Sequence, residues 1–189
     1  MNPGVVREPV GYGGCTLKLL TELERSDDRV RLPDSQSVPL PSSFRRLVDH
    51  PDFQRLRKVR QLGPIHLVYP GAVHTRFEHS LGVFGAAAEY ARGLSRVDAF
   101  RDRIDNDDIA VLLLSALLHD VGHYPFAHSL EALHSGILDA PRHEDVAVDV
   151  ISGSMTTSSG VPLGALIEQE FSVDPARVSR LIQYGCDPS

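Results

Sequence analysis

The chain has 189 residues, of which 42% are hydrophobic and 23% charged, close to globular averages, so neither disorder nor a membrane class is indicated and the length suits one domain with a sizeable core. The formal net charge of -6 argues against a generally basic nucleic-acid binder. No apolar run reaches the roughly 18 residues of a membrane span, "MNPGVVREPVGYGG" lacks the pattern of a signal peptide, and the distant Cys15 and Cys186 form no zinc or disulfide framework, so a cytoplasmic protein without a membrane segment is expected.

Residues 1 to about 40 are rich in Gly, Pro, Ser and Asp, with short alternations such as "RVRL", and read as a loose N-terminal arm carrying one small hairpin. The remainder, 41 to 189, reads as one helical domain. "PSSFRRLVDH" offers Ser42 or Ser43 as an N-cap, and "PDFQRLRKVRQLG" places Pro51 at a first helical position and Gly63 as a stop, so two short helices are expected. This stretch holds six cations, Arg45, Arg46, Arg55, Arg57, Lys58 and Arg60, against Asp49 and Asp52. Two readings stay open: a solvated basic face, or a surface for an anionic partner.

"GPIHLVYPGAV" is turn chemistry and reads as a loop. From about Thr75 to Leu94, Phe77, Leu81, Phe84, Ala88, Ala91 and Leu94 recur at three- and four-residue steps, the period of an amphipathic helix. The next helix starts near Asn106, read as its cap. Asp107 and Asp108 suit the positive end of its dipole, and "IAVLLLSALL" is apolar almost all round, which places it in the middle of the fold. Pro125 can open a helix running to Gly136, and further helices are expected over 142–151, 161–171 and 175–184. The fold class is all-α, with a minor β element near the N-terminus.

The central helix runs out in "ALLHDVGHYPFAH". His119 and Asp120 are adjacent, about 100 degrees apart on a regular helix, yet at a frayed last turn two neighbours can converge on one ion. Imidazole nitrogen with carboxylate oxygen suits Zn, Fe, Mn or Ni better than Mg alone, and two residues cannot fill such a shell. His79, on the preceding helix, is the best further ligand. Arg76 stands one turn before it and can hold an anion in the same cleft. A zincin-like reading of His119 and His123 fails, because Asp120 stands where Glu is needed and Gly122 interrupts the helix.

"HTRFEHSLGV" and "LLHDVGHYPFAH", 40 positions apart from His79 to His119, closely resemble the HD-domain metal-dependent phosphohydrolases. "HPDFQRLRKVRQLG" and "VYPGAVHTRFEHSLGV" resemble the branch that contains the deoxynucleoside triphosphate triphosphohydrolases. The resemblance implies an HD-domain helical bundle and a phosphohydrolase that converts a dNTP to deoxynucleoside and triphosphate, with a divalent transition metal (Fe, Mn, Zn or Ni) as cofactor, Mg in addition, a nucleotide substrate and a homo-oligomeric state. By position, it implies His79, His119 and Asp120 as metal ligands and His123 as a catalytic histidine paired with Glu131. It implies His143 as a second active-site histidine, His128 near the α-phosphate, Arg76 on phosphate, and Gln61 with Leu62 on the sugar. The family's fourth ligand, an Asp in a later block of the form "DxDRxDYxxRD", has no counterpart before Ser189, so the chain reads as the N-terminal portion of a longer HD protein or as a naturally shortened one. The alternatives are an HD phosphohydrolase acting on a monophosphate, cyclic or signalling nucleotide, and a catalytically impaired module that binds nucleotide and metal.

Overall fold

The computed structural model describes residues 17–33, 36–126, 141–155 and 160–185. These form an all-α architecture with one two-stranded antiparallel sheet near the N-terminus. Helix α1 (Lys18–Arg25) precedes strands β1 (Arg29–Arg31) and β2 (Ser37–Pro39), which pair Arg29 with Pro39, Val30 with Val38 and Arg31 with Ser37. A loose arm does not describe residues 17 to 40. Leu17, Leu20, Leu23, Leu32, Val38 and Leu40 are all buried in the common core, and the leucine spacing of α1 was masked in the sequence by flanking charge.

Helices α2 (Ser42–Val48) and α3 (Pro51–Gln54) follow, the latter continuing as a 3-10 turn over Arg55–Lys58. A second 3-10 turn, Gly63–Leu67, lies within the expected loop. The long helix α4 (Arg76–Leu94) begins at Thr75, whose hydroxyl accepts from the Glu78 amide while the Glu78 carboxylate accepts from the Thr75 amide at 2.6 Å, a reciprocal cap. After the short α5 (Asp98–Arg101), helix α6 (Asn106–Leu118) is capped in the same way by Asp105 and Asp108. The cap is therefore Asp105, one residue before the expected Asn106.

Ile109, Ala110, Val111, Leu113, Leu114, Leu117 and Leu118 bury nearly the whole circumference of α6. Helix α4 packs along it through Phe77, Leu81, Phe84, Ala88 and Ala91. The other flank of α6 meets α9 (Pro175–Tyr184), which also rests on α7 (His143–Ser152) and α8 (Leu163–Phe171). Phe44 of α2 locks these layers together, its ring 4.8 Å from Phe84 and 4.7 Å from Phe171. At roughly 25 cal/mol per Å² of apolar surface, a core built on α6 is the main stabilising contribution, and it anchors the end of that helix rigidly. The helix expected from Pro125 to Gly136 lies mostly outside the described residues.

Of the six cations of the 44–60 stretch, Arg45, Arg46, Arg57, Lys58 and Arg60 are exposed, and four of these have partners. Arg45 pairs with Asp28 at 3.1 Å, Arg46 pairs with Glu170, Arg57 lies 3.6 Å over the Phe77 ring, and Arg60 donates to the Val73 carbonyl. Arg55 turns inward.

Candidate metal centre

With most of the circumference of α6 buried, its C-terminal end lies at the junction with α4 and the start of α7. His119, still in helical conformation, closes the helix, and two tight turns follow, Val121 N–H to Leu118 O and His123 N–H to Asp120 O, both 2.9 Å. Across the junction, Arg76 and His79 stand three residues apart in the first turn of α4 and so share one face.

Asp120, only 2% exposed, is the hub. Its Oδ2 accepts from Arg76 Nη1 at 2.9 Å and lies 4.0 Å from His79 Nε2. Its Oδ1 lies 3.4 Å from His119 Nε2 and 3.1 Å from His123 Nε2. The adjacent His119 and Asp120 side chains do converge, and one ligand atom from each of His79, His119 and Asp120 falls within 4.8 Å of the others. His119 Nδ1 sits 2.9 Å from the Ala116 carbonyl, so this nitrogen carries the proton and Nε2 presents its lone pair to the cleft. Two imidazoles and a carboxylate so arranged fit a divalent transition metal ion.

The electrostatics suit the same use. Burial by itself would raise the Asp120 carboxyl, but the hydrogen bond with His123 and the charges of His119, His123 and Arg76 outweigh it and hold the carboxyl well below the usual carboxylate range. Burial lowers His79 and His123, against the opposing pull of Asp120. Metal ligation needs ionised carboxylate and neutral imidazole, and the shifts of Asp120, His79 and His123 all run in that direction.

His143, first residue of α7, stacks on His123 with ring centroids 3.8 Å apart and an interplanar angle of 16°. Asp120, His123 and His143 form a second group of donors within 4.8 Å. Gly122 makes this approach possible. A Cβ there would lie 2.9 Å from the Ala147 Cα and nearer still to the His143 carbonyl oxygen and the Ala147 amide nitrogen. What requires glycine at position 122 is close contact with the first turns of α7 rather than its helix-breaking backbone freedom, since its φ is not in the left-handed region.

Arg55 was missed as a site residue. From its 3-10 turn the guanidinium donates to the carbonyls of Val121 and His123, on either side of Gly122. In sequence it is one cation among six, and only its helical spacing from Asp52 sets it apart. Gln61 and Leu62 sit beside the bridge that pairs Arg60 with Thr75, next to the start of α4: the Gln61 amide donates to His74 O at 3.1 Å, and the Gln61 Oε1 is buried with no hydrogen-bond partner among the described residues. Leu62 is 42% exposed. His128 and Glu131 lie outside the described residues.

Comparison with known proteins gives the following likenesses. The family profile described as HD domain matches residues 76–160, from Arg76 of α4 past the end of α7. The chain is 32% identical over 184 residues to a deoxynucleoside triphosphate triphosphohydrolase of Gallus gallus, covering 92% of this chain and 30% of that protein. It is 46% identical over 85 residues to an uncharacterised protein of Methanocaldococcus jannaschii, covering 45% of this chain and 16% of the other. It thus spans less than a third of the length of either relative. Among solved structures, a hypothetical protein from Aquifex aeolicus superposes with a TM-score of 0.61 at 32% identity, over 82% of this chain and 37% of that one.

Proposed function

Residues 76–160 are an HD domain, and on that premise we propose that the protein is a metal-dependent phosphohydrolase acting on nucleotides, most specifically on deoxynucleoside triphosphates. One observation carries the reading: His79, His119, Asp120, Arg76 and His123 meet in a single cleft where α4 and α6 adjoin. The similarity to a relative named for dNTP triphosphohydrolysis supports the substrate class.

His79, His119 and Asp120 would hold the ion, which when bound lowers the pKa of water and polarises a phosphoryl oxygen. Arg76 points its guanidinium into the same space, where it can exchange part of its hold on Asp120 for a phosphate oxygen. In the triphosphohydrolase reaction water adds to the α-phosphorus and the bond to the sugar O5′ breaks. The departing oxygen takes a proton, and deoxynucleoside and triphosphate leave. His123, stacked on His143 and with its pKa lowered by burial, is the proton-transfer residue in this reading. In this reading Gln61 and Leu62 would serve the sugar; the roles that the family resemblance implies for His128 and Glu131 belong to residues outside those described.

Metal analysis and turnover of a dNTP panel with added Mn or Fe, comparing wild type with His119→Ala and Asp120→Ala, test this. Release of triphosphate by wild type and its loss in both variants is the expected outcome; no hydrolysis of any dNTP, or full activity in the variants, overturns it. A second reading, a module that binds nucleotide and metal without turnover, is favoured by the Arg76–Asp120 pair, which already engages one carboxylate oxygen. Metal and nucleotide binding without product would be its signature.

A further inference from the structure

Helix α6 stops at Leu118, so the carbonyls of the turn beyond it lack intrahelical partners. One side chain supplies them. Arg55, contributed by the 3-10 turn 55–58, donates Nη1–H to the His123 carbonyl and Nη2–H to the Val121 carbonyl, bracketing Gly122. A planar fork matches two acceptors at fixed spacing, and a lysine ammonium does not. Asp52, fully buried on α3, provides the counter-charge: burial pulls the Arg55 guanidinium down and Asp52 pulls it back up. The turn so braced carries Asp120 at one end and His123 at the other, and His123 in turn lies flat on His143 at 3.8 Å.

We propose that Arg55 is a positioning residue whose fork on the Val121 and His123 carbonyls sets the His123 ring against Asp120 and His143. The catalytic consequence rests on the proposed function; the geometric one does not. His79 and His119 hang from α4 and α6, which the fork does not touch, whereas Asp120 opens the braced turn one residue before the Val121 carbonyl, so loss of the fork disturbs His123 and reaches the ligand set only through Asp120.

The test is Arg55→Lys, which keeps the charge and loses the fork. Stacked imidazoles shift each other's ring protons upfield, so the His123 and His143 ring resonances of chelated protein, assigned with His123→Gln, report the stack without any reaction. In folded Arg55→Lys these upfield shifts are lost, and kcat falls by about tenfold or more with KM little changed. Wild-type ring resonances in the folded variant overturn the proposal, whether or not wild type turns over a nucleotide. If wild type is inactive, the resonances alone decide, and the functional reading fails separately. Should Arg55→Lys not fold, Asp52→Asn, which strips the counter-charge and keeps the fork residue, is expected to move the same resonances partway; wild-type resonances there overturn the proposal as well.

Discussion

Gly122→Ala replaces one hydrogen with a methyl group, a net gain of one carbon and two hydrogens, at the tightest approach of any described glycine. The new Cβ would stand 2.9 Å from the Ala147 Cα and closer to the His143 carbonyl oxygen and the Ala147 amide nitrogen, whereas real Cβ atoms essentially never approach below 3.0 Å. All three obstacles are backbone, so no rotamer change relieves the clash, and the first turn of α7 must move away from the end of α6 as a unit. Overpacking in a close-packed interior costs about 1–3 kcal/mol, and a rigid backbone obstacle belongs at the upper end. For a chain of this length each kcal/mol is worth about 2–4 °C in Tm, so a fall of about 6–12 °C is expected by calorimetry. The movement also lifts His143 off His123, abolishing the 3.8 Å stack. Replacing Ala147 with Gly does not rescue, because the clash is with main-chain atoms rather than the Ala147 side chain. A Tm within about 2 °C of wild type, or rescue by Ala147→Gly, would refute the reasoning.

Asp120→Asn leaves the Arg76 guanidinium, 5% exposed, without its charge partner; a loss of about 3–5 kcal/mol is expected in urea titrations with chelator present, and an unchanged midpoint would show that the pair is dispensable. His119→Ala removes one of three converging donors, so the Kd for Mn measured by calorimetry should rise about tenfold or more; an unaltered Kd removes His119 from the ligand set. Chelated wild type should lose stability on acidification in two stages. His79 and His123 titrate lower in the folded chain than their usual value, so the unfolded chain binds more protons once pH falls below about 6.5; the depressed Asp120 adds a further loss below about 4, where the unfolded carboxyl protonates first. Stability flat from neutrality to acid pH contradicts both shifts. Thr75→Ala breaks the reciprocal cap of α4 and should cost about 1 kcal/mol, or about 2–4 °C; an equal Tm would mean the cap is replaced by solvent.

Much of the helical plan is local and therefore legible. The apolar period of 75–94, the wholly apolar 109–118 and the Pro175 start at a capping Asp174 each describe a helix without reference to any other part of the chain. Errors fell where local signals compete. Asp105 rather than Asn106 caps α6, because either side chain can accept the amide and the partner Asp108 three residues on decides for Asp105. Helix α1 escaped notice because charged residues dilute its Leu20 and Leu23, which only their burial among α4 and α6 explains.

The amino-acid sequence by itself determined the all-α class, the order of the helices and the presence of "HSLGV" and "HDVGH" at the ends of two helices that bury against each other. Hydrophobic period, caps and turn residues act over a few positions, so they can be read along the chain. Tertiary structure decided what lies between those helices: that Arg76 is buried on Asp120, that Arg55 leaves a run of solvent-directed cations to hold two carbonyls, and that His143 reaches His123 from 20 positions away over a glycine with no room for a methyl group. These contacts depend on the depth to which the α6 core is packed, and packing depth is a sum over residues distant in sequence that no local pattern records.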